Sequence, residues 1–309
     1  RYSKKDQINE FHADFRWDTP FFSFVNRLGI QRDLQTEPLT MKWHFSKPYL
    51  SVISLDLPIR DGNIKITGKY NLEDRQTLIQ GSFERLPILD SLIDFDVKPE
   101  RIDGIANGEF DLSGNSIDNL VGQIQGTIDS FDYSPSSLVD TDPILKLKHI
   151  DLEGDLSLKK KILFAELQKF NTEKSVGTID FSLDFTDGLF LDLSYDYSRL
   201  DLSEMRPLGG SQMEGIARSQ GSVIGPISEL NIEGTLYLTD FSILDLNLAK
   251  QAHARFYGYR LKEYEFFDLE IQRGQTKLTG PMSMKFGKRI AINTNLKGKR
   301  CKYWCSSIF

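Results

Sequence analysis

The amino-acid sequence predicts an all-β protein, an elongated, repeat-built antiparallel sheet curled into a groove (a β-taco or gutter) with one or two short helices. Three observations carry this prediction. Apolar and polar residues alternate with a period of two through most of the chain, and helical periodicity is scarce. In addition, a pattern of glycines and apolar residues recurs along the chain.

The alternation indicates strands with one apolar and one polar face. Ile179, Phe181 and Leu183 alternate with Asp180 and Ser182, for example. Similar runs cover residues 62–68, 189–194, 236–248 and 278–286. Each predicted strand is about five to nine residues long and is bounded by Gly, Asn, Asp or Pro. The alternation is compatible with a two-sheet sandwich, a barrel or an open curved sheet.

Helical signal is confined to two short segments. Residues 86–95 carry apolar side chains at Leu86, Leu89 and Ile93, which predicts a short helix that begins near Pro87. Residues 202–208 are consistent with one further turn.

Composition excludes several classes of protein. The 309 residues carry a formal net charge of −6 and are 39% hydrophobic. The net acidity disfavours a nucleic-acid binder, and no apolar run has the ~18–20 residues of a membrane span. The two cysteines, Cys301 and Cys305, both lie near the end of the sequence, so a disulfide framework is not expected elsewhere.

An internal repeat organises the chain. Residues 103–106 (DGIA) followed by Gly114 match residues 214–217 (EGIA) followed by Gly225. Further matches pair Gly126 with Gly234, His149 with His253, Gly154 with Gly258 and Gly177 with Gly280. Stacked units that share one sheet are favoured over separate globules, because no linker intervenes.

The repeat predicts four segments. They are the end of a preceding β unit (1–75), a full β unit (76–185), a second β unit (186–290) and a basic tail (291–309). We expect one group of repeated glycines at turns, namely Gly62, Gly114, Gly225 and Gly274. A second group is expected inside strands, where the sheet bends, namely Gly126, Gly154, Gly234 and Gly258.

A family resemblance rests on the glycine spacing. Residues 86–89 (LPIL) precede the glycine-alternating stretch 102–114, and the best single match is the stretch 225–236 (GPISELNIEGTL). This pattern resembles TamB and the wider AsmA-like group of bacterial envelope proteins, over about residues 50–290.

The resemblance implies a periplasmic β structure with an apolar concave face, anchored in the inner membrane by a helix outside this sequence. It further implies that phospholipid is carried between the inner and outer membranes. An outer-membrane barrel insertase of the TamA/BamA-like kind is the implied protein partner. The alternatives are a scaffold or chaperone for outer-membrane protein assembly, and an adhesive or carbohydrate-active β-sandwich.

Inward-facing apolar residues would line such a lipid groove. Burial of acyl chains is favoured by ~0.8 kcal/mol per methylene. The predicted lining residues are Ile64, Ile66, Phe110, Leu112, Ile124, Ile128, Ile179, Phe181, Leu183, Leu236, Leu238, Leu278, Met282 and Met284. The competing interpretation is that these residues fill the core of an ordinary sandwich.

No motif for catalysis or cofactor binding is present, so we expect neither an enzyme nor a bound cofactor or metal. Asp94, Asp96 and Glu100 are interpreted as solvated loop acids. The acid-rich segment 180–204 lacks the spacing of a calcium loop. His149 and His253 are interpreted as inherited strand residues.

The tail is basic, in contrast to the acid-rich segment 180–204. Its basic residues after Lys285 stand beside Tyr303 and Trp304, a composition compatible with contact to an anionic membrane surface. The Cys301 and Cys305 pair offers too few ligands for structural zinc.

Overall fold

The structure, a computed structural model, describes the greater part of the chain. The described residues are 10–17, 21–25, 31–35, 39–59, 61–88, 102–116, 118–133, 145–184, 186, 190–204, 213–226, 229–243, 246–259, 263–285 and 291–299. Of these, nearly all lie in β-strands.

Twenty strands follow one another along the described chain. The first ten are β1 (Glu10–Trp17), β2 (Phe21–Val25), β3 (Gln31–Gln35), β4 (Leu39–Ser46), β5 (Tyr49–Ile59), β6 (Gly62–Asn71), β7 (Thr77–Pro87), β8 (Ile102–Ser116), β9 (Asn119–Tyr133) and β10 (Leu145–Lys159). The others are β11 (Ile162–Thr172), β12 (Val176–Asp184), β13 (Phe190–Asp201), β14 (Met213–Pro226), β15 (Asn231–Ile243), β16 (Leu246–Tyr259), β17 (Glu263–Arg273), β18 (Thr276–Lys285), β19 (Ala291–Thr294) and β20 (Lys297–Lys299).

Eighteen of these strands form one antiparallel sheet, and β2 pairs with β3 in a separate hairpin. From β4 to β18 each strand pairs with its neighbour in sequence, and β1 pairs with the outer side of β4. Strands β19 and β20 lie end to end along the outer side of β18. The described sheet is open, with β1 at one edge and β19 and β20 at the other. The predicted fold class, an elongated all-β antiparallel sheet, is confirmed.

Several local predictions need correction. The strands from β5 to β18 have 9 to 15 residues, and all of them except β12 are longer than the predicted five to nine. Gly62, Gly114 and Gly225, predicted at turns, lie within strands β6, β8 and β14, and of that group only Gly274 lies in a turn. Gly62 pairs with Ile59, Gly114 with Thr77 and Gly225 with Leu191, so each of these glycines lies in a ladder near a strand end rather than in the turn itself.

The two predicted helical segments, 86–95 and 202–208, are only partly described by the structure. Leu86 and Pro87 belong to β7, Ile88 directly after them is helical, and residues 89–95 lie outside the described residues. In the second segment a single 3₁₀ turn forms at Leu202–Glu204, and residues 205–208 lie outside the described residues. Among the described residues, none forms a helix with the length and apolar character that a membrane span requires.

Bulges curl the sheet. Most of the described ladders contain a register shift, and a bulge bends its strand and increases the local twist. Gly104 and Gly215 are each left out of the register, opposite Ser130 and Asp240, which have positive φ angles of 54° and 52°. The DGIA and EGIA repeats therefore lie opposite equivalent bulges on β9 and β15.

Each of the two full repeat units predicted from the sequence contains whole strands. Residues 76–185 contain β7–β12 and residues 186–290 contain β13–β18, six strands in each. His149 lies on β10 and His253 on β16, and Gly154 and Gly258 follow them on the same strands. Equivalent sequence positions thus occupy equivalent strands.

The best-buried apolar residues belong to two regions. Leu120 and Ile150 are almost fully buried on β9 and β10, and Ala217 and Ala254 are so on β14 and β16. Most other apolar residues of the described sheet are only partly buried. Among the described strands, the only sheet besides the large one is the two-stranded β2–β3 hairpin, which disfavours an alternative built from two large packed sheets.

Candidate functional site

An unbroken row of apolar and glycine residues crosses the sheet from β1 to β19. Each member lies directly opposite the next on the neighbouring strand. This central apolar row consists of Ala13, Trp43, Val52, Gly68, Ile79, Leu112, Gly122, Leu156, Ala165, Phe181, Leu193, Val223, Ile232, Gly258, Tyr264, Met284 and Ile292. No charged residue interrupts it.

A second row runs beside the first, two residues along each strand. Its members between β6 and β9 are Ile66, Gly81, Phe110 and Ile124. Beyond β11 it continues through Ile179, Tyr195, Gly221, Gly234, Phe256, Phe266 and Met282. Residues two apart on a strand point to the same side, so both rows belong to one face, here called the apolar face.

The structure places all fourteen predicted lining residues on this apolar face. Leu112, Phe181 and Met284 lie in the central apolar row. The second row holds Ile66, Phe110, Ile124, Ile179 and Met282. Ile64, Ile128, Leu183, Leu236, Leu238 and Leu278 lie in shorter rows on the same side. Every one of the fourteen is partly buried rather than enclosed.

Aromatic rings cover glycines on the apolar face. A side chain placed at Gly177 would meet the ring of Tyr197 at 2.6 Å, and one at Gly258 would meet the ring of Tyr264 at 2.8 Å. Rings that lie flat over glycines restore apolar surface where side chains are missing. Sequence reasoning found the glycines but did not pair them with rings, because the pairing depends on cross-strand register.

One polar spot interrupts the apolar face. Tyr195 and Tyr197 of β13 lie beside Ser219 of β14, with the two tyrosine rings 6.4 Å apart. Burial raises the pKa of both tyrosines, and for Tyr197 the charge of Glu204 adds to the rise. Both phenols therefore remain protonated donors throughout the neutral range.

The opposite face of the sheet is polar and contains a cavity of about 650 Å³ between β6 and β11. Its lining includes the carboxylates of Glu109, Asp111, Glu153 and Asp155. A twisted sheet is concave along one diagonal on each face, so a hollow on the polar face is compatible with a groove on the apolar one. The sequence did not predict this cavity.

A charged cluster on the polar face surrounds His149. Its Nδ1 lies 2.6 Å from Asp129 Oδ1, and its Nε2 lies 3.1 Å from Asp151 Oδ1. Asn107 donates to Asp129 Oδ2 at 3.3 Å, and Lys169 lies 3.5 Å from Asp151. The hydrogen bond with Asp129 is the largest cause of a raised pKa at His149, and His149 in turn lowers the pKa of Asp151.

The equivalent His253 has a different environment, because its ring packs on Tyr237 with the centroids 4.5 Å apart. The two histidines occupy matching strands but make different contacts, so the repeat did not predict the His149 cluster.

The remaining predicted polar features lie apart from the apolar face or outside the description. Within the described ranges, no three His, Cys, Asp or Glu side chains gather as a metal site requires, and this includes the described acids of segment 180–204. Asp94, Asp96 and Glu100 lie outside the described residues, as do Cys301 and Cys305.

Comparisons with protein-family profiles, with curated proteins and with solved structures found no match to this chain.

Proposed function

We propose that this chain is a segment of a bacterial envelope bridge that shields phospholipid acyl chains along its apolar face during transfer between the inner and outer membranes. In this proposal the chain works in the periplasm, catalyses no reaction and needs no cofactor. An inner-membrane anchor outside this sequence would hold it in place.

The observation that supports the proposal is the continuity of the central apolar row. Seventeen successive positions, one on each strand from β1 to β19 without β2 and β3, are apolar or glycine. With strands ~4.8 Å apart, this row is roughly 75 Å long. Most members of this continuous apolar strip are only partly buried, and a strip of this size favours an apolar occupant.

The width of the apolar face suits an acyl chain. Adjacent rows lie about 6.6 Å apart, so three rows span roughly 13 Å from first to last. The hydrocarbon core of a bilayer is about 30 Å thick, which gives each leaflet about 15 Å. An acyl chain can therefore lie across the rows while its headgroup stays near the rim of the sheet.

The test compares one lysine substitution on each face of the same strand. Phe181→Lys places a charge in the central apolar row, whereas Ser182→Lys places it on the polar face, opposite Asp192. We expect the purified Phe181→Lys protein to lose uptake of labelled phospholipid and transfer between vesicles, and the Ser182→Lys protein to retain both. Leu236→Lys, in another row, should behave like Phe181→Lys.

Circular dichroism would establish that each variant keeps its β structure. A wild-type protein that contains no co-purified phospholipid by mass spectrometry and takes up none from vesicles would contradict the proposal. Full transfer activity in folded Phe181→Lys and Leu236→Lys proteins would remove these two residues from the path.

A second candidate function is supported by the open edges of the sheet. Within the described residues, β1 pairs only with β4, and β19 and β20 pair only with β18. An exposed edge can accept a strand from another protein. We propose as the alternative a scaffold that presents such an edge to outer-membrane proteins or to a TamA/BamA-like barrel insertase.

Proline at the edge would distinguish the two functions. Asn293→Pro in β19 should weaken binding to the periplasmic domain of an insertase if the edge is the docking strand. It should leave phospholipid uptake unchanged, because Asn293 lies on the polar face, opposite Ser283. Binding that is insensitive to proline in both β19 and β1 (Asp14→Pro, opposite Lys42) would count against the scaffold.

A further inference from the structure

One buried hydroxyl on the apolar face has no hydrogen-bond partner. The phenol oxygen of Tyr195 is buried, and no described residue completes a hydrogen bond with it. Ser219 lies close enough to offset part of the rise that burial causes in the pKa of Tyr195. The Ser219 hydroxyl donates to the carbonyl oxygen of Thr235 at 3.1 Å, and its oxygen does not lie in hydrogen-bond geometry to accept from the Tyr195 phenol.

The Tyr195 hydroxyl lies over a pair of glycines. Gly221 and Gly234 face each other across β14 and β15, and a Cβ at either position would lie 2.7 Å from the phenol oxygen. The ring therefore lies flat along the sheet and fills the hollow left by two missing side chains. In this position the hydroxyl is buried against backbone and apolar groups, which is unfavourable for a polar group without a partner.

The surroundings specify what kind of acceptor could satisfy this donor. Leu193 and Val223 flank the site in the central apolar row, and Ile179 precedes Tyr195 in its own row. Neither of these rows contributes a lysine or arginine at this point. A charged phosphate or carboxylate would therefore be buried without a counter-ion, whereas a neutral carbonyl oxygen would be accommodated.

We propose that Tyr195 is a ligand-binding residue that recognises the ester carbonyl of a bound diacyl lipid. On binding, the ring lifts away from Gly221 and Gly234 and donates its hydroxyl to the carbonyl oxygen. Lipid methylenes then occupy the hollow over the two glycines. The unsatisfied hydroxyl of the lipid-free state makes this movement easier, because lifting the ring ends an unfavourable burial. This inference rests on the proposed function.

The experiment measures binding of two phospholipids that differ only in the carbonyl groups. One is a diacyl phosphatidylcholine and the other is the dialkyl ether analogue with the same chain length. We expect wild-type protein to prefer the ester lipid by roughly three- to tenfold, the contribution of one hydrogen bond. Tyr195→Phe should abolish this preference, and Tyr197→Phe, the same change two residues away, should preserve it.

Thermal unfolding provides a second readout, in which the Tyr195→Phe substitution should be stabilising although it weakens lipid binding. Removal of the partnerless hydroxyl should raise the apparent Tm of the lipid-free Tyr195→Phe protein by about 1–3 °C. The same variant binds ester lipid more weakly, so stability and affinity should change in opposite directions. A Tyr195→Phe protein with lowered Tm would show that the hydroxyl already has a stabilising partner, which would overturn the inference.

The outcomes separate this inference from the proposed function. Equal binding of ester and ether lipids by wild-type protein would overturn the role of Tyr195 while the lipid-shielding function stands. The same holds if Tyr197→Phe abolishes the preference as completely as Tyr195→Phe does. Binding of neither lipid would overturn both proposals.

Discussion

At the scale of single residues, His149 shows how register creates an electrostatic cluster. Asp129 approaches one ring nitrogen from β9, and Asp151 approaches the other from the same strand as the histidine. Asn107 and Lys169 extend the cluster to β8 and β11. The two carboxylates favour the protonated ring, which is why the pKa of His149 is raised.

This raised pKa predicts a pH-dependent stability. A raised folded-state pKa contributes stability that is complete below the ordinary value of 6.5 and is lost as pH rises through the folded value. His149→Gln should therefore cost more free energy of unfolding at about pH 5.5 than at about pH 8.5. The difference should stay below about 1 kcal/mol, because the ring is 39% exposed and solvent screens the pair.

Urea unfolding at the two pH values measures this effect. Asp129→Asn removes the strongest partner of His149 and should reduce the pH dependence in the same direction. A cost of His149→Gln that is identical at both pH values would show that the cluster does not contribute to stability.

At the scale of elements, Glu204 joins a 3₁₀ turn to a hairpin. The turn Leu202–Glu204 follows β13, and the Glu204 carboxylate accepts hydrogen bonds from Thr172 and Ser175 at the β11–β12 connection. The backbone NH of Lys174 donates to the same carboxylate at 3.0 Å. Ser175 is fully buried, so its hydroxyl depends on this acceptor.

Glu204→Ala should consequently lower the free energy of unfolding by about 1–3 kcal/mol, the cost of a buried donor without a partner. Glu173→Ala provides the control, because Glu173 is exposed in the same connection. Chemical denaturation of both variants measures the difference. Equal stability of the two variants would contradict a structural role for the Glu204 contacts.

At the scale of the whole molecule, the sheet is a chain of nearest-neighbour ladders. From β4 to β18, each strand pairs with the strands before and after it, and the described sheet has two free edges. The longest ladders join β8, β9 and β10, and each of these three strands has 15 residues. Interactions of this kind make stability a sum of local terms rather than the property of one central core.

We expect native-state hydrogen exchange to show a gradient along the sheet. Amides of β8–β10 should be the best protected, and protection should fall toward β1 at one edge and β19 and β20 at the other, where opening needs the loss of one ladder only. Mass spectrometry of peptic fragments measures this. Uniform protection from edge to edge would instead indicate one cooperative unit.

The sequence predicted the face to which each side chain points better than it predicted the length of each strand. The alternation in a strand such as β12 fixes the side to which Ile179 and Phe181 point, whatever the neighbouring strands do. Strand ends could not be predicted in the same way. Gly114 and Gly225 resemble turn residues in sequence, yet both pair across strands, Gly114 with Thr77 and Gly225 with Leu191.

The contacts that depend on register were beyond the sequence. The ring of Tyr195 over Gly221 and Gly234 joins residues of three strands, and the contact of His149 with Asp129 joins β10 to β9. Bulges shift the register in most ladders, and their positions follow from backbone geometry rather than from residue type alone.

The pairing of strands in chain order determines how the length of such a protein can change. Because β4–β18 pair only in chain order, two consecutive strands could be added or removed while every other ladder keeps its partner. Strand direction and the side of each apolar row would be preserved, since two antiparallel strands restore the original polarity. The length of the molecule can therefore change in steps of about 10 Å, which is two strand spacings, and each step adds or removes one hairpin.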